Sequence, residues 1–219
     1  MKTTGDKIRT ADRTIGQFME TLGSKSPVPG GGGAAALAGA LGASLSAMVC
    51  GLTVGKKKYE AHEAELKDLL NLCTRAAERF ISLSDADEAA FLPLSAVYGM
   101  PRETEEELKK RGEAMEKALK NAAEIPMEVL ELCAETIAEM HCLTEIGSRL
   151  AVSDVGAAAS MLSAGLDSAY LNVMINVGMM QERAEAERLG RRASSLRDKG
   201  RQEAAEIFED VRKQLEIRR

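Results

Sequence analysis

Residues Ser26 to Tyr59, SPVPGGGGAAALAGALGASLSAMVCGLTVGKKKY, restrict the fold more than any other stretch of this chain. Pro27 and Pro29 hold the backbone extended and bias the residues before them away from helix. Gly30 to Gly33 can take positive φ and allow another group close to the backbone. A helix over about Ala34–Thr53 follows, uncharged and rich in Ala, Gly and Ser. Its unpaired first-turn N–H groups and positive dipole end make an anion or carbonyl site with the glycines. Two stripes run along it. Leu37, Leu41, Leu45, Met48 and Leu52 read as core, at helical spacing. Ala36, Gly39, Ala40, Ala43 and Ala47 form a small-residue face that admits a neighbouring backbone, within the subunit or across a two-fold axis. The stretch then reaches Gly55 and the run Lys56, Lys57, Lys58, Tyr59.

This loop is neither of the common phosphate loops. No Gly-Lys-[Ser/Thr] follows the glycines and no strand precedes them. Gly30–Gly55 is long enough for a membrane span, but Ala and Gly contribute little to insertion, and no membrane association is expected. The chain has 219 residues, 45% hydrophobic and 3% aromatic with no Trp, so helix is favoured and a core can form. A net charge of −5 argues against nucleic-acid binding. Cys50, Cys73, Cys133 and Cys142 are widely spaced, with only His62 and His141 besides, so buried free thiols in a reducing cytoplasm are expected and no metal site. No secretory leader is expected after Lys2.

The remaining periodicity is helical. Ile15, Phe18, Met19 and Leu22 mark a short first helix after a frayed start over 1–13. A long helix is expected from about Glu60 towards Val97, ended by Gly99 and Pro101. Thr104 with Glu107 reads as a capping box opening a helix to about Ala123. Pro126 fits the first turn of the next helix, through Met140. After Gly147, Ser153 or Asp154 can cap a helix through Asn176. The expected fold is all-α: a single-domain bundle of six or more helices around the small-residue helix, spanning 14–189, with 190–219 a charged helical extension.

Five segments, in order, resemble the cyclodeaminase/cyclohydrolase family of folate enzymes: SPVPGGGGAAALAGALGASLSAMV with GKKKY, DEAAF at Asp87–Phe91, NAAEIP at Asn121–Pro126, SDVGAAA at Ser153–Ala159, and LNVMIN at Leu171–Asn176. The likeness covers about residues 14–185. It departs from the family before the Ser-Asp segment, where a Gly-Asn pair is often found and Gly147 is here followed by Ser148 and Arg149, and after the Asp-x-x-Ala-Phe helix, where Pro-Lys is often found and Pro101-Arg102 stands here. The resemblance implies an all-helical homodimer with its site near the subunit interface. The implied substrate is a tetrahydrofolate derivative, with or without a polyglutamate tail, and no other cofactor. The expected reaction is hydrolysis of 5,10-methenyltetrahydrofolate to 10-formyltetrahydrofolate. The alternatives are cyclodeamination of 5-formimidoyltetrahydrofolate and a non-catalytic dimerisation module, the last supported by the departure at Ser148-Arg149.

Within that frame Asp87 and Asp154 are the candidate catalytic carboxylates. Phe80, Ser84, Asp87 and Phe91 share one helical face, where burial between two Phe residues would raise the Asp87 pKa. Asp154 has a capping role as its rival reading. Pro29, Gly30, Gly31 and Gly32 are candidate substrate contacts, as are Asn172 and Asn176, an i, i+4 pair on an apolar helix. Lys56, Lys57 and Lys58 suit an anionic glutamate tail, and Tyr59 suits ring stacking.

Overall fold

The computed structural model describes residues 8–217, and among them every regular element is helical. The order is a 3-10 turn at Thr10–Asp12, α1 (Ile15–Leu22), α2 (Gly31–Thr53), a 3-10 turn at Lys57–His62, α3 (Glu63–Tyr98), α4 (Glu105–Met140), α5 (Leu143–Ile146), a 3-10 turn at Arg149–Ala151, α6 (Val152–Met179) and α7 (Arg183–Glu216). The capping box read at Thr104 is present, each partner bonding the other's backbone. A second box, Thr14 with Gln17, opens α1.

α2 lies at the centre with α3 on one side and α6 on the other. Its small residues make this possible. A Cβ on Gly39 would come within 2.5 Å of the Phe80 ring, and one on Gly42 within 2.6 Å of Leu162. From α6, a Cβ on Gly165 would meet the Ala35 carbonyl oxygen at 2.9 Å. The small-residue face is therefore spent inside the subunit, with Ala36, Gly39, Ala40 and Ala43 buried. Three members of the stripe read as core face outward instead, Leu41 and Leu52 about half exposed and Met48 nearly so, while Leu37 and Leu45 are half-buried. Helix geometry accounts for this: two helices can flank α2 closely only where it lacks side-chain bulk. α2 passes the length and composition test for a membrane span, but half of its most apolar stretch is buried in the bundle.

Two expected boundaries are absent. α4 runs unbroken through Pro126 to Met140, so the predicted break near Ala123 does not occur. Proline removes the bond to the carbonyl four residues back, here Ala122. The Asn176 Nδ2 on α6 donates to that same carbonyl at 2.9 Å, so tertiary structure supplies what the helix lost. Likewise α7 crosses residue 190 without interruption. It packs along α6 and α4, burying Ala186, Gly190, Ala193, Gly200, Ala204, Ile207 and Val211, so 190–216 lies against the bundle rather than projecting from it.

The described part of the expected frayed start is also ordered. Thr10 donates its N–H and hydroxyl to Asp85 at 2.7 and 2.8 Å, and Arg13 forms a forked ion pair with buried Glu88.

Close packing sets opposite signs for one substitution. Gly42→Ala is expected to destabilise by about 1–3 kcal/mol through overpacking. Gly112→Ala, in α4 with nothing near its Cβ direction, is expected to stabilise by up to about 1 kcal/mol through helix propensity. Chemical denaturation of both variants checks this; equal effects would sink the packing account.

Candidate active site

The N-terminus of α2, the middle of α3 and α4, and the C-terminal half of α6 enclose a pocket of about 190 Å³. Its walls are Pro27, Val28 and Gly30–Gly32 from the loop and first turn of α2, Asp87, Ala90 and Phe91 from α3, Ala122 and Pro126 from α4, and Asn172, Ile175 and Asn176 from α6. Among these residues Asp87 alone is ionisable.

The glycines serve space, not unusual backbone angles. The expected positive φ does not occur at Gly30–Gly33; among the described residues it is confined to Gly55, at 78°. Gly30 is the N-cap and Gly31 to Gly33 form the first turn, three residues earlier than predicted. A Cβ on Gly32 would collide with the Asp87 carboxylate, and one on Gly31 would sit 3.1 Å from Asn172 Nδ2. Gly33 donates its backbone N–H to Asp87. The anion site at this helix start is thus filled by the chain's own carboxylate.

Burial pushes the Asp87 carboxyl up to about 6; the Gly33 N–H opposes the shift and neighbouring Glu88 adds to it. Both protonation states are therefore accessible near neutral pH, as acid–base chemistry requires. Phe80, Ser84 and Phe91 share its face as the spacing predicted: Phe80 and Ser84 buried beneath, Phe91 in the pocket wall. Asp85 turns to Thr10 instead, so its substitution would loosen the N-terminal segment.

Asn172 and Asn176 both reach the pocket. Asn172 Nδ2 donates to the Ser168 carbonyl, and Asn176 Nδ2 to those of Ala122 and Asn172. Both Asn176 amide protons are directed at backbone, so its Oδ1 is what it can offer a ligand N–H, whereas Asn172 keeps one amide N–H as well as its Oδ1. Of the proposed glycine-loop contacts, Gly30, Gly31 and Gly32 line the pocket. Pro29 does not; it is buried behind them against Gly33.

The other candidates lie elsewhere in the subunit. Lys56, Lys57, Lys58 and Tyr59 follow the C-terminus of α2, roughly 30 Å along the helix from Gly32 at ~1.5 Å per residue. Asp154 sits in the first turn of α6, roughly 27 Å from Asn172 by the same rise. Its expected capping role is absent, because α6 starts at Val152 with Ala151 as N-cap and no side-chain cap bond. At this far end Lys56 Nζ donates to Ser148 Oγ at 3.2 Å, and Arg149 N–H donates to Tyr59 Oη at 3.3 Å. Lys58 lies over the Tyr59 ring. The Ser148-Arg149 departure therefore falls at the lysine end and leaves the Asp87 pocket untouched.

The walls missed from sequence are mostly apolar. Phe91 was legible as the i+4 neighbour of Asp87, whereas Pro126 was read as a helix start. Cys50 and Cys73 are buried and pushed up to about 12, which holds them as thiols at neutral pH. Among the described residues no three His, Cys, Asp or Glu side chains gather as a metal cage.

Residues 14–195 match the family model described as formiminotransferase-cyclodeaminase. A methenyltetrahydrofolate cyclohydrolase of Methylorubrum extorquens is 40% identical over 176 residues, 80% of this chain and 85% of that one. The formimidoyltransferase-cyclodeaminase of Rattus norvegicus is 30% identical over 93% of this chain, which spans 38% of the rat protein. The crystal structure of formiminotetrahydrofolate cyclodeaminase from Thermotoga maritima superposes with a TM-score of 0.78 at 25% identity, covering 95% of this chain and 98% of that one. A single helical bundle that buries one carboxylate against a glycine-opened helix, matched by sequence over most of its length, belongs to the formiminotransferase-cyclodeaminase family.

Proposed function

We propose that this protein hydrolyses 5,10-methenyltetrahydrofolate to 10-formyltetrahydrofolate, with Asp87 as the reacting carboxylate. The observation that carries the reading is a pocket whose one ionisable lining group is an acid poised near neutrality, opposite two amide side chains. The substrate's amidinium, bridging N5 and N10, is cationic and suits that carboxylate. Water adds to the bridging carbon as its proton passes to Asp87. The tetrahedral carbon then loses N5, which takes the proton back from Asp87. The hydroxyl proton leaves to solvent and the formyl group remains on N10. No cofactor beyond the folate enters this scheme. The Methylorubrum relative supports this reaction, since its name is that of the cyclohydrolase.

The second reading is cyclodeamination of 5-formimidoyltetrahydrofolate. A carboxyl near 6 is also suited to give a proton to departing ammonia. The test is direct: absorbance of methenyltetrahydrofolate with purified protein, and ammonia release from the formimidoyl compound. Accelerated methenyl decay without ammonia release supports the hydrolase. Ammonia release with a slower methenyl reaction supports the deaminase.

We also propose that the protein works as a cytosolic homodimer. The cavity is smaller than the ~300–1,000 Å³ of ordinary small-molecule sites, so it suits one end of a folate. Apolar side chains stand exposed beside it: Leu171 at 64% and Ile175 at 62% on α6, continuing to Met161, with Leu41, Met48 and Leu52 on adjacent α2. An isologous contact over these faces would cover them. If it ran antiparallel, a partner's Lys56–Lys58 would approach this pocket, reconciling the lysines with a tail-binding role. Sedimentation at micromolar concentration should give a dimer, and Leu171→Glu with Ile175→Glu should give a monomer. A wild-type monomer would overturn the proposal.

The lysine role makes its own prediction. Replacing Lys56, Lys57 and Lys58 with Gln should weaken polyglutamylated substrate more than the monoglutamate, and the difference should shrink at high salt as exposed charges are screened. Equal KM changes for both substrates at every salt concentration would exclude tail binding.

A further inference from the structure

The strongest feature outside the pocket walls lies one residue along α3 from Asp87. Glu88, its neighbour on α3, has a side chain 1% exposed and is met by Arg13, 12% exposed, at 2.8 and 3.2 Å through both terminal guanidinium nitrogens. Arg13 comes from the segment before α1, which is fixed to α3 at several points. Thr10 bonds Asp85 through its N–H and hydroxyl, its hydroxyl also lies 3.2 Å from Ser84 Oγ, and Arg13 Nε donates to the Ile8 carbonyl. A buried carboxylate one residue from the reacting one is repulsive unless a cation is held against it.

We propose that the Arg13–Glu88 pair is a positioning device for Asp87: the 8–13 segment holds a cation on α3 and so sets the proton affinity of the reacting carboxylate. This rests on Asp87 being that carboxylate. The other ionisable neighbour on α3 is Asp85, held by Thr10. From α2 only the Gly33 N–H reaches Asp87, and the pocket residues of α4 and α6 carry no ionisable group. The Arg13–Glu88 pair is thus the charged feature beside Asp87 that substitution can adjust in both directions.

The experiment follows the Asp87 carboxyl by ¹³C NMR titration in the intact protein, alongside the acid limb of kcat/KM. Glu88→Gln removes a negative charge and keeps Arg13, so the Asp87 midpoint should fall by roughly one pH unit. Arg13→Gln removes the cation, so it should rise by a similar amount. The double variant should return close to wild type. Packing alone cannot produce opposite shifts that cancel. An unchanged midpoint in Glu88→Gln, or single variants shifting in the same direction, overturns the proposal. If Arg13→Gln does not fold, Glu88→Gln decides by itself. If the NMR midpoints move as expected while the acid limb does not, the charge device stands and Asp87's catalytic role fails.

Discussion

Asp87→Asn is expected to lower turnover of the folate substrate by roughly 10²–10⁴-fold, the usual contribution of a general acid–base group, while making the protein more stable at neutral pH. Asn is nearly isosteric and can still accept from the Gly33 N–H, but it carries no charge to desolvate. The sign follows from linkage. The folded carboxyl titrates at about 6, above the unfolded value of ~3.9. The folded state therefore binds the proton more tightly. Its stabilising contribution is complete below ~4, declines as pH rises towards 6, and is lost above that. The difference amounts to roughly 3 kcal/mol at neutral pH. Denaturation of wild type and variant at about pH 5 and about pH 7.5 should show the variant's advantage growing with pH. In activity, wild-type kcat/KM should fall as pH drops through 6, because the working form is the carboxylate, and this limb should vanish in the variant. A variant that loses stability while keeping its activity per folded molecule would assign Asp87 a structural role.

Gly32→Ala is the second large effect. Its Cβ would occupy the space of the Asp87 carboxylate, so the carboxylate must move off its present position. A displacement of about 1 Å at a reacting group can cost ~10²-fold in rate, and overpacking adds about 1–3 kcal/mol of instability. A double-mutant cycle separates this contact from any general effect on the helix start. In an Asp87→Ala background the colliding atoms are gone, so Gly32→Ala should add almost no further loss of stability or turnover. Simple additivity would mean that Gly32 acts through something other than Asp87.

Several elements were legible because they depend on local chemistry. Thr104 with Glu107 reads as a capping box and forms one, since both partners lie within a single turn. The alternation of Phe80, Ser84, Asp87 and Phe91 follows from helix pitch alone, and it led to the carboxylate that lines the pocket. Helix-favouring composition and helical periodicity along the chain pointed to the all-helical class. The glycines of the loop were legible as a close-approach site, but their partner was not, because it comes from a residue more than fifty positions along the chain.

Amino-acid order alone thus determined that the chain is helical, which face of α3 carries the acid, and that Gly30–Gly33 leave room for a close approach. Tertiary structure decided everything that depends on a partner distant in sequence. It chose which stripe of α2 is core, since α3 and α6 dock on the small residues and leave Leu41, Met48 and Leu52 outside. It let α4 pass through Pro126, because Asn176 satisfies the freed Ala122 carbonyl. It also separated Asp87 from the lysines by the length of α2, a rigid rod whose hydrogen-bonded rise cannot be folded back to bring its two ends together.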